Sequence, residues 1–359
     1  DIMALEREFR AERYFGSLDG LRAFSIIPVI WHHSTVTTHA GALGRGPIGV
    51  DLFFAISGFL ITTLLVRERM EKGSLDLAGF YLRRSLRIFP LYYGVLILHC
   101  IYAFWVRPDW PPCQVFLQRW QYYATYTANW FRGSASAGPV LFVFAWSLCT
   151  EEQFYAFWAP ILKYVRRLWV AAVVMGILVS IDLLLECRVA GSAKFAASLP
   201  FVVVTSFATP IGFGSLLALA LQHRRLGGWL LYGFGQVYSA PAIALLLACL
   251  VVWPWAPLLV VHLLLAGLVV SCSVRRDNGL AQLLDNLPMH IIGRASYGIY
   301  LLHVPVIGAV RSLLPQLRNR EGIVFALSLP ISVAVASASF AAIEQPLTQW
   351  GKRIGRRGR

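Results

Sequence analysis

The chain has 359 residues, of which 57% are hydrophobic and only 14% charged, and its mean hydropathy is +0.62. Soluble domains contain about 25% charged residues, so this composition excludes an ordinary soluble domain. Apolar runs of membrane-spanning length recur to the end of the chain and indicate a polytopic membrane protein. A net charge of +14 would suggest nucleic-acid binding in a soluble protein. In a membrane protein it is explained by basic cytoplasmic loops, so we expect no nucleic-acid partner.

Ten segments are predicted to cross the membrane. They lie at about 22–38, 48–66, 88–106, 140–162, 168–186, 200–222, 229–249, 254–274, 290–312 and 323–343. With the N-terminus placed in the cytoplasm, most of the 32 Lys and Arg residues fall in inner segments. The sequence therefore predicts an all-α, multi-pass protein with about ten transmembrane helices and both termini cytoplasmic.

The predicted organisation is a single transmembrane domain at 22–343 between two short cytoplasmic segments, 1–21 and the basic tail 344–359. The longest stretch between spans is an outer loop at about 107–139, rich in Trp and Tyr. Its rings fit either an interfacial aromatic belt or a platform on which a sugar stacks. The six cysteines form no CxxC pair, and we predict no metal site. Cys113 and Cys187 both fall in predicted outer loops, which leaves a disulfide between them open.

The first predicted span carries ionisable residues at both ends, in DGLRAFSIIPVIWHH at 19–33. Such residues are rare inside membranes and are candidates for function. Arg22 and His33 are separated by three helical turns plus about 20°, so they share a face and lie about 16 Å apart along the axis. Asp19 and Arg22, at i and i+3, can pair. His33 is then either a polar contact between helices or a functional group near mid-membrane.

The second span contains one acidic residue and one pair of small residues, in GVDLFFAISGFLIT at 49–62. Asp51 lies near its outer end, where it can either cap the helix N-terminus or orient a histidine. Ser57 and Gly58 are suited to close packing between helices.

Three arginines precede the third span, in FYLRRSLRIFP at 80–90. Arg84 and Arg87 are at i and i+3 and project to one side of a helix, with Arg83 beside them. This pattern fits an ordinary basic flank of a span. It equally fits a phosphate clamp, because guanidinium groups bind phosphate through two parallel hydrogen bonds.

The fourth span holds two adjacent carboxylates, in WSLCTEEQFY at 146–155. Ser147, Glu151 and Tyr155 share one helical face, whereas Glu152 points about 100° away. A buried carboxylate must be paired or protonated. Glu151 is therefore either half of a structural pair with an arginine or the partner of His33, whose basicity it would raise.

The ninth span adds further polar candidates near the end of the chain. SYGIYLLHVPV at 296–306 contains Tyr297, Tyr300 and His303, and the chain then closes on IEQPL at 343–347. Tyr297 and His303 are predicted to support the site.

The chain resembles the bacterial integral-membrane acyltransferase-3 family over nearly its whole length. The resemblance rests on five motifs in this order: LDGLRAFSIIPVIWHH, GVDLFFAISGFLIT, FYLRRSLRIFP, WSLCTEEQFY and SYGIYLLHVPV. It implies a ten-helix protein of the bacterial inner membrane. Such proteins carry acyl groups, usually acetyl, from cytoplasmic acyl-CoA to hydroxyls of surface glycans, lipid-linked sugars or secondary metabolites.

The resemblance also implies roles for individual residues. The family's first-span histidine matches His33 better than His32, and its fourth-span glutamate matches Glu151, so these two are the expected catalytic residues. The residues expected to bind the donor are Arg84 and Arg87, with Arg83 and Arg22. The polar pattern of the spans, and not the resemblance, gives the residues expected to support the site, which are Asp19, Asp51, Ser147, Tyr155, Tyr297 and His303. Where the family often has Glu-Arg-Pro, this chain has Glu344-Gln345-Pro346, which leaves a charged role there open.

The implied reaction needs acyl-CoA, expected to be acetyl-CoA, as a co-substrate and no permanently bound cofactor. The other expected partners are the lipid bilayer and a carbohydrate or glycolipid acceptor. His33, oriented by Glu151, would act either as a general base on the acceptor hydroxyl or as a covalent acyl carrier. The alternative class is a transporter or flippase of a lipid-linked saccharide, since the same polar residues could line a translocation path.

Overall fold

The structure is a computed structural model that describes residues 2–35, 46–131, 141–186, 207–253 and 255–357. All regular secondary structure in these ranges is helical. The all-α prediction is therefore confirmed for the described part of the chain.

The first half of the described chain forms seven labelled helices. They are α1 (Ile2–Ala11), α2 (Gly16–Ser34), α3 (Pro47–Lys72), α4 (Leu77–Ile101, continued by a π-helical turn, Tyr102–Val106), α5 (Pro111–Ala124), α6 (Trp146–Tyr164) and α7 (Leu168–Glu186). The predicted outer loop is thus partly helical, because α5 occupies its first part. Its last residues, 132–139, lie outside the described residues.

The second half forms seven more labelled helices in the described ranges. They are α8 (Thr209–Gln222), α9 (Arg224–Phe234), α10 (Ser239–Val252), α11 (Leu258–Val274), α12 (Leu287–Leu313), α13 (Glu321–Ser339, continued by a π-helical turn, Phe340–Glu344) and α14 (Gln345–Arg357). Each of the ten predicted spans overlaps at least one helix.

Four helical stretches are long and apolar enough to cross a membrane: α3, α4 with its π turn, α12, and the stretch Glu321–Gly351. The pair α9 and α10, bent by 73°, makes a fifth if it is one broken span. Helices α7, α8 and α11 are apolar but shorter. Helices α2 and α6 fall short because they carry the charged and imidazole side chains singled out above. The structure thus supports a multi-pass membrane protein with four to five such spans, and the count of ten stays a prediction.

Helices α3 and α8 cross closely because each presents a glycine to the other. A β-carbon on Gly58 would lie 2.0 Å from the carbonyl oxygen of Ile211, and one on Gly214 would lie 2.3 Å from that of Ala55. Both distances are far shorter than van der Waals contact, so any side chain would force the helices apart. The prediction that the small pair at 57–58 supports close packing is confirmed.

Five helices surround a polar interior. Helix α2 packs between α3 and α12, α6 packs against α3, and α4 contacts both α6 and α12. The side chains between them are apolar over most of their length, with Ile26, Phe54, Tyr92, Trp158 and Ile299 among those that are fully buried. The polar faces of the same helices meet at one place, where they line a cavity.

Two further predictions concern the ends and the loops. Cys113 is a buried free thiol, and Cys187 lies outside the described residues. The predicted basic tail forms α14, which packs against α4. Glu344, the first residue of the predicted tail, is buried and ends the π-helical turn that follows α13.

Candidate functional site

A cavity with an open mouth lies among α2, α3, α4, α6 and α12, and many of its lining side chains carry polar groups. The ionisable and hydroxyl-bearing side chains that line it are Arg22, Arg84, Arg87, Glu151, Glu152, Ser57, Ser147, Ser296, Tyr155, Tyr297 and Tyr300. The cavity therefore gathers most of the residues that the sequence predicts for the site.

The guanidinium groups enter the cavity from two helices. Asp76 caps the N-terminus of α4 by accepting a hydrogen bond from the Gly79 amide at 2.9 Å. Two turns further on, Arg84 and Arg87 line the cavity, as their i,i+3 spacing predicts. Arg83 does not line it; its guanidinium lies against Gly79 near the start of the helix. The predicted clamp thus gathers Arg84 and Arg87 but not Arg83.

Arg22 completes the cationic side of the cavity from α2. Its guanidinium donates a hydrogen bond to the Asp19 carboxylate at 3.2 Å, which confirms the predicted i,i+3 pair. Asp19 is buried and also accepts a hydrogen bond from the Tyr14 hydroxyl. His290 and Arg294 of α12 approach its carboxylate at 3.8 and 3.9 Å. Asp19 therefore ties α12 and the start of α2 together and fixes Arg22.

The two carboxylates of α6 line the same cavity as the arginines. The Glu151 carboxylate accepts hydrogen bonds from the Ser57 and Tyr155 hydroxyls, and the guanidinium of Arg84 lies over the Tyr155 ring, 4.4 Å from its centroid. Glu152 also lines the cavity, although it points away from the Glu151 face. The predicted shared face of Glu151 and Tyr155 is confirmed by their contact.

The hypothesis that Glu151 orients His33 requires a correction. The hydrogen-bond partners of the Glu151 carboxylate in the described chain are Ser57 and Tyr155, whereas the Nδ1 of His33 lies 3.2 Å from the Nε2 of His303. Ser57 on α3 stands where the imidazole was expected, because α3 packs directly against α6. The catalytic role of Glu151 itself stays a prediction.

The two histidines lie beside the cavity and share one of its walls. Tyr300 lines the cavity, its hydroxyl lies 2.6 Å from that of Ser147, and it donates a hydrogen bond to the Phe144 carbonyl at 2.8 Å. Its ring centroid lies 5.6 Å from that of His303. The arginine-lined cavity and the histidine pair therefore meet at Tyr300.

The remaining predicted residues have structural partners. Tyr297 lines the cavity and donates a hydrogen bond to the Ile88 carbonyl at 2.8 Å, which links α12 to α4. Asp51 lies in the second turn of α3 rather than at its N-cap, which is Gly46, so the capping alternative is wrong. The Asp51 carboxylate instead lies 3.5 Å from the Nε2 of His262 on α11, a histidine different from the one at the site.

Two contributions were missed by sequence reasoning. The sequence predicts only helix packing for Ser57, whereas its hydroxyl also donates a hydrogen bond to Glu151. Glu344 is buried, has no hydrogen-bond partner for either carboxylate oxygen among the described residues, and interacts electrostatically with Arg87. A carboxylate in the last apolar segment was the available signal, but the sequence could not identify its partner on α4.

These features define a helical membrane protein with an interior site in which cationic side chains adjoin a histidine pair. The chain belongs to the Acyltransferase domain family, whose model matches residues 15–341. This match confirms the resemblance stated above.

Two relatives are informative. The O-acetyltransferase OatA of Staphylococcus aureus (strain NCTC 8325 / PS 47) is 25% identical over 401 residues, which cover 98% of this chain and 60% of the relative. The peptidoglycan O-acetyltransferase OatA of Listeria monocytogenes serovar 1/2a is 27% identical over 366 residues, which cover 95% of this chain and 57% of the relative. The chain thus spans somewhat more than half the length of these relatives. No solved structure matches it.

Proposed function

We propose that the chain is a multi-pass O-acetyltransferase of the bacterial inner membrane that moves an acetyl group from cytoplasmic acetyl-CoA to a hydroxyl of a glycan. The observation that carries this proposal is the junction at Tyr300 between the arginine-lined cavity and the His33–His303 pair. The relatives named above are O-acetyltransferases, and peptidoglycan is the acceptor in the name of one of them. The acceptor class proposed here is therefore a cell-wall or surface polysaccharide.

The donor end of the site is the cationic side of the cavity. Arg84 and Arg87 bind the phosphates of the donor, since guanidinium groups pair with phosphate oxygens in a bidentate manner. Arg22 contributes a third positive charge and is held by Asp19. The Arg84 guanidinium has one face over Tyr155, which leaves its edge available for hydrogen bonds.

The transfer end of the site is His33. Its Nε2 takes the proton of the acceptor hydroxyl while the hydroxyl oxygen forms a bond to the thioester carbonyl carbon. The carbon–sulfur bond then breaks, and the leaving thiolate takes the proton from His33, so that ester and thiol are formed with no net change in charge. In the covalent variant, Nε2 first attacks the thioester carbonyl carbon and the carbon–sulfur bond breaks, releasing the CoA thiolate. The acceptor hydroxyl then takes the acetyl group from the acetyl-imidazolium as the carbon–nitrogen bond breaks, and its proton goes to the thiolate.

The proposed topology places the donor end at the cytoplasmic side. Arg22 lies near the start of α2 and His33 near its end, about 16 Å further along the axis at 1.5 Å per residue. With ten spans and both termini cytoplasmic, the donor then enters from inside and the acceptor from outside. This arrangement keeps bulk water away from the thioester, which limits its hydrolysis.

The test is acetyl transfer by purified protein in lipid vesicles, with labelled acetyl-CoA as the donor and peptidoglycan oligosaccharides as the acceptor probe. We expect His33→Ala to lower the transfer rate by about 10²–10⁴-fold, the contribution of a general base. His32→Ala is the matched control, because His32 is the adjacent residue on α2 but packs against Gly46. Full transfer by His33→Ala would overturn the assignment, and an absence of acetyl-CoA-dependent product would favour the transporter class.

A second experiment addresses the donor end. Arg84→Ala is expected to raise the KM for acetyl-CoA more than the KM for the acceptor, because the guanidinium is proposed to contact only the donor. Arg83→Ala is the matched control, since Arg83 does not line the cavity. An equal rise of both KM values in Arg84→Ala would contradict the clamp.

A further inference from the structure

The imidazole rings of His33 on α2 and His303 on α12 face one another inside the bundle. Their ring centroids are 4.8 Å apart, and the Nδ1 of His33 lies 3.2 Å from the Nε2 of His303. His303 is fully buried, and the Phe144 ring covers it at 5.3 Å between centroids. A buried pair of this kind can hydrogen-bond only if one nitrogen carries a hydrogen and the other a lone pair.

The backbone determines which nitrogen of His303 carries the hydrogen. Its Nδ1 lies 2.6 Å from the carbonyl oxygen of Tyr300, and a carbonyl oxygen can only accept. The Nδ1 of His303 is therefore the protonated nitrogen. Since a neutral imidazole has one N–H, its Nε2 faces His33 with a lone pair.

The backbone determines the tautomer of His33 in the same way. Its Nδ1 lies 2.9 Å from the Val29 carbonyl oxygen and 3.2 Å from the Nε2 of His303. Both neighbours are acceptors, so Nδ1 carries the hydrogen and shares it between them. The Nε2 of neutral His33 is then left with the lone pair.

We infer that His303 is a positioning residue that holds His33 in its Nδ1–H tautomer and thereby makes Nε2 the reactive atom. The inference deepens the proposed function and rests on it for its catalytic meaning. When Nε2 of His33 takes the acceptor's proton, or the acyl group, the ring becomes cationic. The hydrogen bond from Nδ1 to His303 then becomes charge-assisted and strengthens, because its donor carries a positive charge.

This arrangement replaces the carboxylate that orients the histidine in many hydrolases. A neutral imidazole accepts the hydrogen bond without adding a negative charge to the membrane interior, where an unpaired charge is costly. A second hydrogen on Nε2 of His303 would point at the Nδ1–H of His33, and the two donors would repel one another. The proton taken from the acceptor therefore stays on Nε2 of His33 until the leaving thiolate removes it.

The direct test is the ¹⁵N spectrum of the intact protein in lipid bilayers, labelled at its histidine ring nitrogens. Signals of His33 are identified by their loss in His33→Asn. We expect its Nδ1 to be protonated, its Nε2 to be unprotonated, and a coupling across the hydrogen bond to join Nδ1 of His33 and Nε2 of His303. A protonated Nε2 and a bare Nδ1 in His33 would overturn the inference.

The functional test compares two substitutions at one position. His303→Leu removes the acceptor, and we expect kcat to fall about tenfold to hundredfold with little change in the KM for acetyl-CoA, as for loss of one hydrogen bond to a charged group. His303→Gln places an amide oxygen near the position of Nε2, and we expect it to restore most of kcat. Equal activity of the two variants, whether both full or both low in folded protein, would contradict the inference.

The proposed function and the inference about His303 can fail separately. If His33→Ala transfers acetyl groups at the full rate, the proposed function loses its base, while the tautomer measured in the unsubstituted protein still tests the inference. If His33 is required but His303→Leu retains full kcat, the inference fails and the proposed function stands. Should His303→Leu fail to fold, the ¹⁵N measurement on the unsubstituted protein decides the inference alone.

Discussion

The guanidinium of Arg84 lies over the ring of Tyr155, 4.4 Å from its centroid, and the Tyr155 hydroxyl donates a hydrogen bond to Glu151. One side chain of α6 thus supports a cation of α4 with its ring and an anion of its own helix with its hydroxyl. Ser57 on α3 donates to the same carboxylate. The cationic and anionic sides of the cavity are therefore joined through a single tyrosine.

The ring of Tyr155 is expected to matter for the donor more than its hydroxyl does. Tyr155→Leu removes the surface that positions Arg84, and it should raise the KM for acetyl-CoA by about twofold to thirtyfold, the range for a cation–π contact of about 0.5–2 kcal/mol. Tyr155→Phe keeps the ring and should leave that KM near the unsubstituted value. Steady-state kinetics in vesicles checks this, and equal KM values in the two variants would contradict it.

The crossing of α3 and α8 is expected to tolerate no side chain. Gly58→Ala places a β-carbon 2.0 Å from the Ile211 carbonyl oxygen, and overpacking of this kind costs about 1–3 kcal/mol. Gly94→Ala on α4 is the matched control, because a β-carbon there would meet nothing within 4 Å. Thermal unfolding in detergent compares them, and an unchanged melting temperature for Gly58→Ala would show that the helices separate without cost.

Glu344 and Arg87 are expected to be energetically coupled. Glu344 is buried without a hydrogen-bond partner among the described residues and interacts electrostatically with Arg87, so removal of either charge leaves the other less compensated. A double-mutant cycle of Glu344→Gln and Arg87→Gln should give a coupling free energy of about 0.5–3 kcal/mol in unfolding measurements.

The control for this cycle is the exposed pair Glu6–Arg10 on α1, which is 2.9 Å apart with both side chains 45% exposed. Exposed i,i+4 pairs contribute about 0.3–0.5 kcal/mol, so its coupling should be small. If the effects of Glu344→Gln and Arg87→Gln on the free energy of unfolding are additive, the two side chains are not coupled and the prediction is wrong.

The N-terminal segment is expected to open more often at acidic pH. Glu12, which follows α1 and lies outside the predicted spans, accepts a hydrogen bond from Arg276, and this bond holds the pKa of its carboxyl below the ordinary value of 4.5. A depressed pKa stabilises the folded state above pH 4.5, and that contribution is lost as the pH falls through the folded-state pKa. Proteolysis of the N-terminal segment should therefore accelerate below about pH 4.5, the unfolded-state pKa.

Arg276→Gln separates this effect from general acid unfolding. The variant should be cleaved faster at neutral pH and should show a weaker dependence on pH, because its Glu12 no longer has the stabilising partner. High salt should also accelerate cleavage at neutral pH, because it screens the ion pair of the exposed Arg276. An identical pH profile for both proteins would exclude the ion pair as the cause.

Contacts within one helix could be predicted from the sequence, and those between helices could not. The pairing of Asp19 with Arg22, the common side of Arg84 and Arg87, and the contact of Glu151 with Tyr155 all follow from the helical repeat. The sequence predicts His33 as the partner of Glu151 on another helix, whereas the observed partner there is Ser57. Many residue pairs between helices are compatible with one sequence, and only packing selects among them.

Length and apolarity do not determine the number of spans. The site requires polar side chains on helices that the membrane requires to be apolar. Helices α2 and α6 hold the polar residues and are consequently not apolar enough to be recognised as spans. The same charged and imidazole side chains indicate the site, since charges inside apolar segments are retained for function. The polar residues of α2 and α6 therefore indicate the site but make the number of spans harder to predict.

What the sequence by itself determined is the all-helical membrane class, the family, and the set of side chains that share each helical face, since these follow from hydrophobicity, motif order and a fixed repeat. The tertiary structure alone decided that His33 meets His303 rather than Glu151, and that Glu344 lies near Arg87. These pairs lie far apart along the chain on separate helices. Close approaches such as that of Gly58 to α8 determine which faces meet, and no local periodicity encodes them.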